Sequence, residues 1–296
     1  MNTRPTQPPR VGDAPAIRLT LISFVLISGA LLVLAPLIVI FVQAFSRGID
    51  VFAATIGHPD TRHAIFLTVA TALIAVPVNT AFGVAAAWAV TKFDFPGKRF
   101  LIIVIEIPFS ISPIVAGVAY LFVYGLQGLF GPALQAADVK ILFALPGIVL
   151  ASMFVTAPFV ARELIPLMQA QGRDLEEAAT SLGASGWRTF FSVTLPNIRW
   201  ALLYGVILCN ARVMGEFGAV SIVSGNVRGQ TNTLPLHIEL LYHDYQTAGA
   251  FAAASILTVL ALVTIVAKVI LERRGAGRAG RPMLAGPVAL AKETRP

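Results

Sequence analysis

Charge is scarce in this sequence. Only 12% of its 296 residues are Asp, Glu, Lys or Arg, against about 25% in soluble globular domains, and the mean hydropathy is +0.79. So little polar surface cannot coat a water-soluble globule, which places the chain in a bilayer. Cysteine is almost absent too. The lone Cys209 excludes an internal disulfide, and its place in an apolar run suits a small buried hydrophobe. Motifs that carry chemistry are missing: no GxxxxGKS or GxxxxGKT occurs, so no P-loop holds ATP in this chain. There is no HExxH, no cluster of paired carboxylates at a membrane edge and no nucleophile beside a base. No catalytic or metal-ligating residue can be named, and a membrane enzyme ranks last among the possible functions. No internal repeat is visible, which argues against an inverted-repeat transporter. The basic excess, 22 Lys and Arg against 15 Asp and Glu, lies at the edges of apolar runs. A nucleic-acid reader would instead cluster base and aromatics on a soluble face.

What the chain does have is long apolar runs. A helix needs about 20 mostly apolar residues to span the hydrocarbon core, and six stretches qualify: Leu19–Ser46, Ala64–Thr91, Phe100–Tyr124 around Glu106, Ile141–Ala161, Trp200–Gly225 with Arg212 and Glu216, and Tyr245–Ala267. They predict an all-α polytopic membrane protein with six transmembrane helices over residues 19–268 and both termini on one side. The tails, residues 1–18 and 269–296, are rich in Pro or in Gly, Ala, Pro and Arg, and are expected to stay unstructured. An excess of Lys and Arg marks cytoplasmic loops. Three basic residues in the first tail, three from Lys92 to Arg99, four from Arg162 to Arg199 and seven beyond Ala267 put 17 of the 22 on one side. That side, holding both termini and the 162–199 loop, is expected to be the cytoplasm. Prolines recur inside the runs, at Pro36, Pro77, Pro108, Pro113, Pro146 and Pro158. Each removes a helix hydrogen bond and kinks the bundle, although proline is also commoner in membrane helices generally.

The 162–199 loop carries eight charged residues, four of each sign. Within it, RDLEEAATSL has good helix formers with acids in the first turn, where the helix dipole favours them. Gly183 suits a left-handed cap, Ser185 can cap a second short helix, and Pro196 is expected to end it. The product is a helix-turn-helix elbow with a small-residue patch at Ala178 and Ala179 and an aromatic anchor at Phe190 and Phe191. An amphipathic loop resting on lipid would want a basic face, whereas Asp174, Glu176 and Glu177 present acid. The elbow therefore reads as a docking knob for a soluble partner.

The same residues carry a resemblance. Glu177, Ala178 and Ala179, then Gly183, then Val193-Thr194-Leu195-Pro196 are similar to the EAA loop of binding-protein-dependent ABC importer permeases, with Val193 where Ile is usual. The resemblance implies a type I importer permease fold in which this loop is a coupling helix seated on a separate ATP-binding subunit, so that no cofactor is bound directly. Downstream, RVMGEFGAVSIVSG followed by TLPLHIE resembles the W-type permease subunits of bacterial sulfate and thiosulfate importers, and the GEFGA core is shared with molybdate permeases. That family implies an inner-membrane assembly of two ATPase subunits, a second, T-type permease and a periplasmic sulfate- or thiosulfate-binding protein.

Arg212 and Glu216 lie four residues apart, a spacing that suits an ion pair on one helix face. Charged residues inside the bilayer normally face protein or a wet cavity, so the pair reads either as an anion attraction point or gate, or as a structural clasp. Ser110 and Ser112, beside Pro113, can offer neutral donors to a passing anion. Glu106 is expected to be protonated or paired across helices, and His237 and His243 to be packed or solvated. An ion-coupled secondary transporter would use the charged pair as a relay but leaves the elbow without a purpose.

Overall fold

The computed structural model describes residues 15–279, and all regular structure among them is helical. In chain order the helices are α1 (Pro15–Gly29), α2 (Ala35–Ala44), α3 (Ile49–Gly57), α4 (Pro59–Lys92), α5 (Lys98–Ser110), α6 (Pro113–Tyr124), α7 (Gly131–Ala136), α8 (Leu145–Thr156), α9 (Pro158–Gln171), α10 (Asp174–Ser181), α11 (Gly186–Thr189), α12 (Leu195–Met214), α13 (Gly218–Ser224), α14 (Leu234–His243) and α15 (Thr247–Ala279). Five stretches are long and apolar enough to cross a membrane: Ile17–Ala44, Pro59–Lys92, Leu145–Gln171, Gly186–Met214 and Thr247–Val266. A sixth exists only if α5 and α6 count as one span, and these meet at 109°. The expected span from Phe100 to Tyr124, with kinks expected at Pro108 and Pro113, is therefore broken outright at Pro113. Each half, at 1.5 Å per residue, is about 20 Å long, too short to cross alone. Ile111 and Ser112 are extended ahead of Pro113, as the clash of a proline ring with the preceding residue dictates.

Two other prolines are absorbed without a break. A π-turn at Ala30–Leu34 precedes Pro36, and another at Phe190–Thr194 precedes Pro196. A π-turn widens the helix by one residue, which relieves the clash between a proline ring and the carbonyl one turn back. Pro196 thus does not end the elbow's second helix, which runs on as one stretch from Gly186 to Met214. The fifth span lies correspondingly earlier than expected and stops at Met214, where Gly215 and Gly218 bracket a short non-helical link. Residues 162–171 of the expected loop continue α9, and 269–279 of the expected tail continue α15, whose Leu, Glu, Arg and Ala residues are good helix formers. The rest of the two tails, residues 1–14 and 280–296, lies outside the described residues.

The packed centre is α4 against α9 and α12. Lipid tails are as apolar as Leu, so association there depends on close packing through small residues. Gly83 meets that need, because a Cβ on it would sit 2.6 Å from Val160 Cβ, and one on Gly205 would sit 3.2 Å from Val160 Cα. Around this crossing Ala72, Ala75, Leu164, Met168, Ile198 and Cys209 are buried together. Asn79, also buried, donates through Nδ2 to Met153 O at 3.1 Å and to Thr156 Oγ1 at 2.7 Å, fixing the middle of α4 to the α8–α9 junction. The first span stands off this core, and none of its most apolar stretch is buried.

Candidate functional site

Three charged or polar regions are built on this frame. The elbow comprises α10, the turn at Gly183 and the Gly186–Thr194 arm. Gly183 adopts φ +85° with open space around it, and Ser185 Oγ accepts from Arg188 N at 3.5 Å. The acidic first turn of α10 is not simply solvated. Lys92, the last residue of α4, places Nζ 2.8 Å from Glu176 Oε1 with only 7% of its side chain exposed, and it donates to Gly172 O. Thr194 Oγ1 donates to the same Glu176 oxygen at 3.1 Å. Arg173 pairs with Asp94 at 3.1 Å, as does Lys98. Hydrogen bonds from Lys98 and Arg173 hold the Asp94 carboxyl below the ordinary 3.8. The second arm packs through aromatics, with Phe190 4.9 Å and Trp187 6.3 Å from Trp88 between ring centroids, while Phe191 stays exposed.

With Glu176 turned inward to Lys92, α10 shows the solvent a different face. Glu177 and Ala178 are exposed, Ala179 is half-buried, and Leu175 and Leu182 are exposed, Leu182 at 89%. Leu195 and Pro196 begin α12, one half-buried and the other exposed. Sequence spacing found the motif residues but not Lys92, Asp94 or the inward role of Glu176. Those contacts join segments 80 residues apart, and no local signal announces them.

The second region is the link after Met214. Arg212 Nη2 lies 3.0 Å from Glu216 Oε2, yet Glu216 has left the helix that carries Arg212. The contact is ionic rather than a directed hydrogen bond, since Oε2 has no partner in hydrogen-bond geometry. The other oxygen, Oε1, accepts from Ala219 N at 3.0 Å and so caps the start of α13. Glu216 is 2% exposed, whereas the Arg212 side chain is 37% exposed. The link rests on the broken span, because a Cβ on Gly218 would lie 3.0 Å from Pro113 Cβ. Ser110 and Ser112 are exposed at that break, and among the described residues no hydrogen bond joins either to Arg212. Glu106 is exposed on α5 and has no ion-pair partner among the described residues, so the expected pairing across helices is not made within this chain.

The third region lies at the opposite end of α4 from the elbow, in the loop where sequence reading expects His237 and His243 to be packed or solvated but gives no contact to α4. His237 is buried with Nε2 2.9 Å from Thr61 Oγ1, and burial pushes its pKa down. Leu234 N donates to Thr68 Oγ1 at 2.8 Å, and His63 Nε2 meets Gln230 O at 3.0 Å. Asn232, Thr233 and His237 Nδ1 are buried here without side-chain partners. His243, by contrast, is exposed near Glu239.

Comparison with known proteins fits this architecture. The chain is 54% identical over 254 residues to the sulfate transport system permease protein CysW of Escherichia coli K12, covering 86% of this chain and 87% of that one. It is 50% identical to the protein of the same name from Synechococcus elongatus, over 89% and 92% of the two chains. Sulfate transport system permease protein CysT of Escherichia coli K12 is 33% identical over 79% of this chain and 87% of its own. Among solved structures, a bacterial ABC transporter involved in the import of the acidic polysaccharide alginate matches with a TM-score of 0.71 at 17% identity, over 88% of this chain and 94% of that one. That likeness establishes the fold. Residues 79–276 match the model of one family, and the chain belongs to it: the binding-protein-dependent transport system inner membrane components.

Proposed function

We propose that this chain is the W-type permease subunit of an ATP-driven importer of sulfate and thiosulfate. It spans the bacterial inner membrane with both termini and the elbow in the cytoplasm. Family membership and identity of about half to sulfate transport permeases support the substrate class. The observation that carries the mechanism is the elbow: a helix anchored by Glu176 that leaves Leu175, Ala178 and Leu182 bare. Exposed apolar residues on a rigid support suit a partner surface, and that partner is one of two ATP-binding subunits. The chain itself binds no ATP and breaks no bond. A homologous T-type permease completes the pathway, using the outward apolar surface that lipid does not cover, and a periplasmic binding protein delivers the anion.

Within the membrane, Glu216 serves as the clasp and Arg212 as the pathway group. Glu216 spends one oxygen on the α13 cap and turns the other to Arg212, fixing a guanidinium that stays partly open. An oxyanion passing the break near Ser110 and Ser112 would meet a positioned positive charge. Coulomb attraction there exceeds its value in water because the local dielectric is lower. The shared counter-ion keeps the site from holding the anion tightly.

The test is uptake of radiolabelled sulfate by cells lacking the chain, with and without its restoration. Uptake is expected to return with the chain, to fail on ATP depletion and to be competed by thiosulfate. Arg212→Gln is expected to abolish uptake at an unchanged membrane level. Uptake that survives ATP depletion on an ion gradient would refute the reading.

A further inference from the structure

Helix α4 is fastened at both ends by the loops it separates. At one end Lys92 holds Glu176 and Gly172 of the elbow, and Thr91 O accepts from Arg173. At the other end Thr61 holds His237, Thr68 Oγ1 accepts from Leu234 N, and His63 meets Gln230 O. Between them α4 runs 34 residues, about 51 Å at 1.5 Å per residue. It is one helix throughout, with Pro77 inside it and Asn79 pinned to the α8–α9 junction just beyond. The two fastenings differ in kind. The elbow is tied by an ion pair that is nearly out of water, with a third group, Thr194, on the same carboxylate oxygen. The far segment is tied by neutral hydrogen bonds next to buried polar atoms that have no partner, on Asn232, Thr233 and His237. Thr189 Oγ1 of the elbow arm is buried without a partner too, so the two ends differ in the charge of the tie, a neutral hydrogen bond being worth less than one to a charged group.

We propose that α4 is a strut that carries movement of the elbow to the 226–243 segment, with Lys92–Glu176 as the positioning pair at the driven end and Thr61–His237 as the responding contact. This rests on the reading of the elbow as the seat of an ATPase. Displacing α10 draws on Glu176, Glu176 draws on Lys92, and a continuous hydrogen-bonded helix moves its far end in turn. The exposed Arg173–Asp94–Lys98 pairs cannot do the same, because water replaces them cheaply.

The experiment uses the whole transporter in lipid nanodiscs. Cys209 is the sequence's one cysteine and is buried, so Val227→Cys supplies an accessible thiol on the far segment. Its rate of labelling by a maleimide is measured with and without trapping of the ATPases by ATP and vanadate. Trapping is expected to change the rate several-fold. Lys92→Gln is expected to abolish that change while the ATPase still co-purifies, and the exchange Lys92→Glu with Glu176→Lys to restore it. Thr61→Val is expected to abolish the change from the other end. If Lys92→Gln does not reach the membrane folded, Glu176→Gln carries the test, with a reduced response expected. The strut is refuted if the response survives these variants, or if they lose the ATPase, which would make the pair part of the docking surface. A parent protein that itself shows no nucleotide response refutes the functional reading instead, so the two failures are distinguishable.

Discussion

The elbow and the link at 215–217 sit at the two ends of α12, about 30 Å apart for a 20-residue helix, and they dispose of charge in opposite ways. At the elbow Glu176 turns inward to Lys92 and Thr194, while Leu175 and Leu182 face outward beside the exposed Asp174 and Glu177. At the link a carboxylate is again buried, but what it leaves open is a cation, Arg212. In each region one buried acid orients the group left exposed, and on the proposed reading that group meets a protein face at one end and an oxyanion at the other.

The comparison breaks most visibly at Glu216. Glu216→Ala removes the acceptor of Ala219 N and the counter-ion of Arg212 together. The partly open Arg212 can turn to water, but the buried donor left without an acceptor costs about 1–3 kcal/mol. The expected outcome is little folded protein in the membrane and a clearly lowered midpoint of thermal unfolding after detergent extraction. Glu216→Gln keeps an acceptor oxygen for the α13 cap and should retain most of the stability. An alanine variant as stable as the parent would show that Glu216 is no clasp.

At the elbow the matching variant is Leu182→Asp, with a smaller effect on the chain itself. Leu182 is 89% exposed, so the permease should unfold at an unchanged temperature, surface substitutions usually lying within about 0.5 kcal/mol. Retention of the ATP-binding subunit should fall, because a charge then stands where an apolar contact is needed. Co-purification of the two subunits measures this. Unchanged retention with full uptake would move the docking face off α10.

Much of this was legible in the sequence, and the reasons for the rest are physical. Apolar runs gave the all-helical class and the position of most spans, and turn chemistry gave α10, the Gly183 turn and the Ser185 cap. Spacing suggested the Arg212–Glu216 contact, but not that Glu216 caps α13 instead of lying on α12. Proline was read too uniformly. Pro113 breaks its span by 109° while Pro196 is carried through a π-turn, and the difference depends on whether the preceding residues can widen the helix. Lys92–Glu176 and Thr61–His237 escaped notice because pairs so far apart in the chain are set by which helices pack together, which periodicity does not encode.

The smallest effect is expected at Asp94, which sharpens the contrast between open and enclosed pairs at the elbow. Its carboxyl is held below 3.8, first by the hydrogen bond from Lys98 and then by that from Arg173. A depressed carboxylate contributes stability above its unfolded-state value and loses it as pH falls through the lowered one. Parent and Asp94→Asn should therefore differ by a constant small amount from about pH 5 to 8 and converge only in stronger acid. Asp94 is fully exposed, so added salt should erase most of the difference. The Lys92–Glu176 pair, with the Lys92 side chain 7% exposed, should be far less sensitive to salt. Thermal unfolding of parent, Asp94→Asn and Glu176→Gln at low and high ionic strength separates the two. Equal salt sensitivity would mean that Lys92 and Glu176 meet in water like any surface pair, and an elbow held that loosely could not pull on α4.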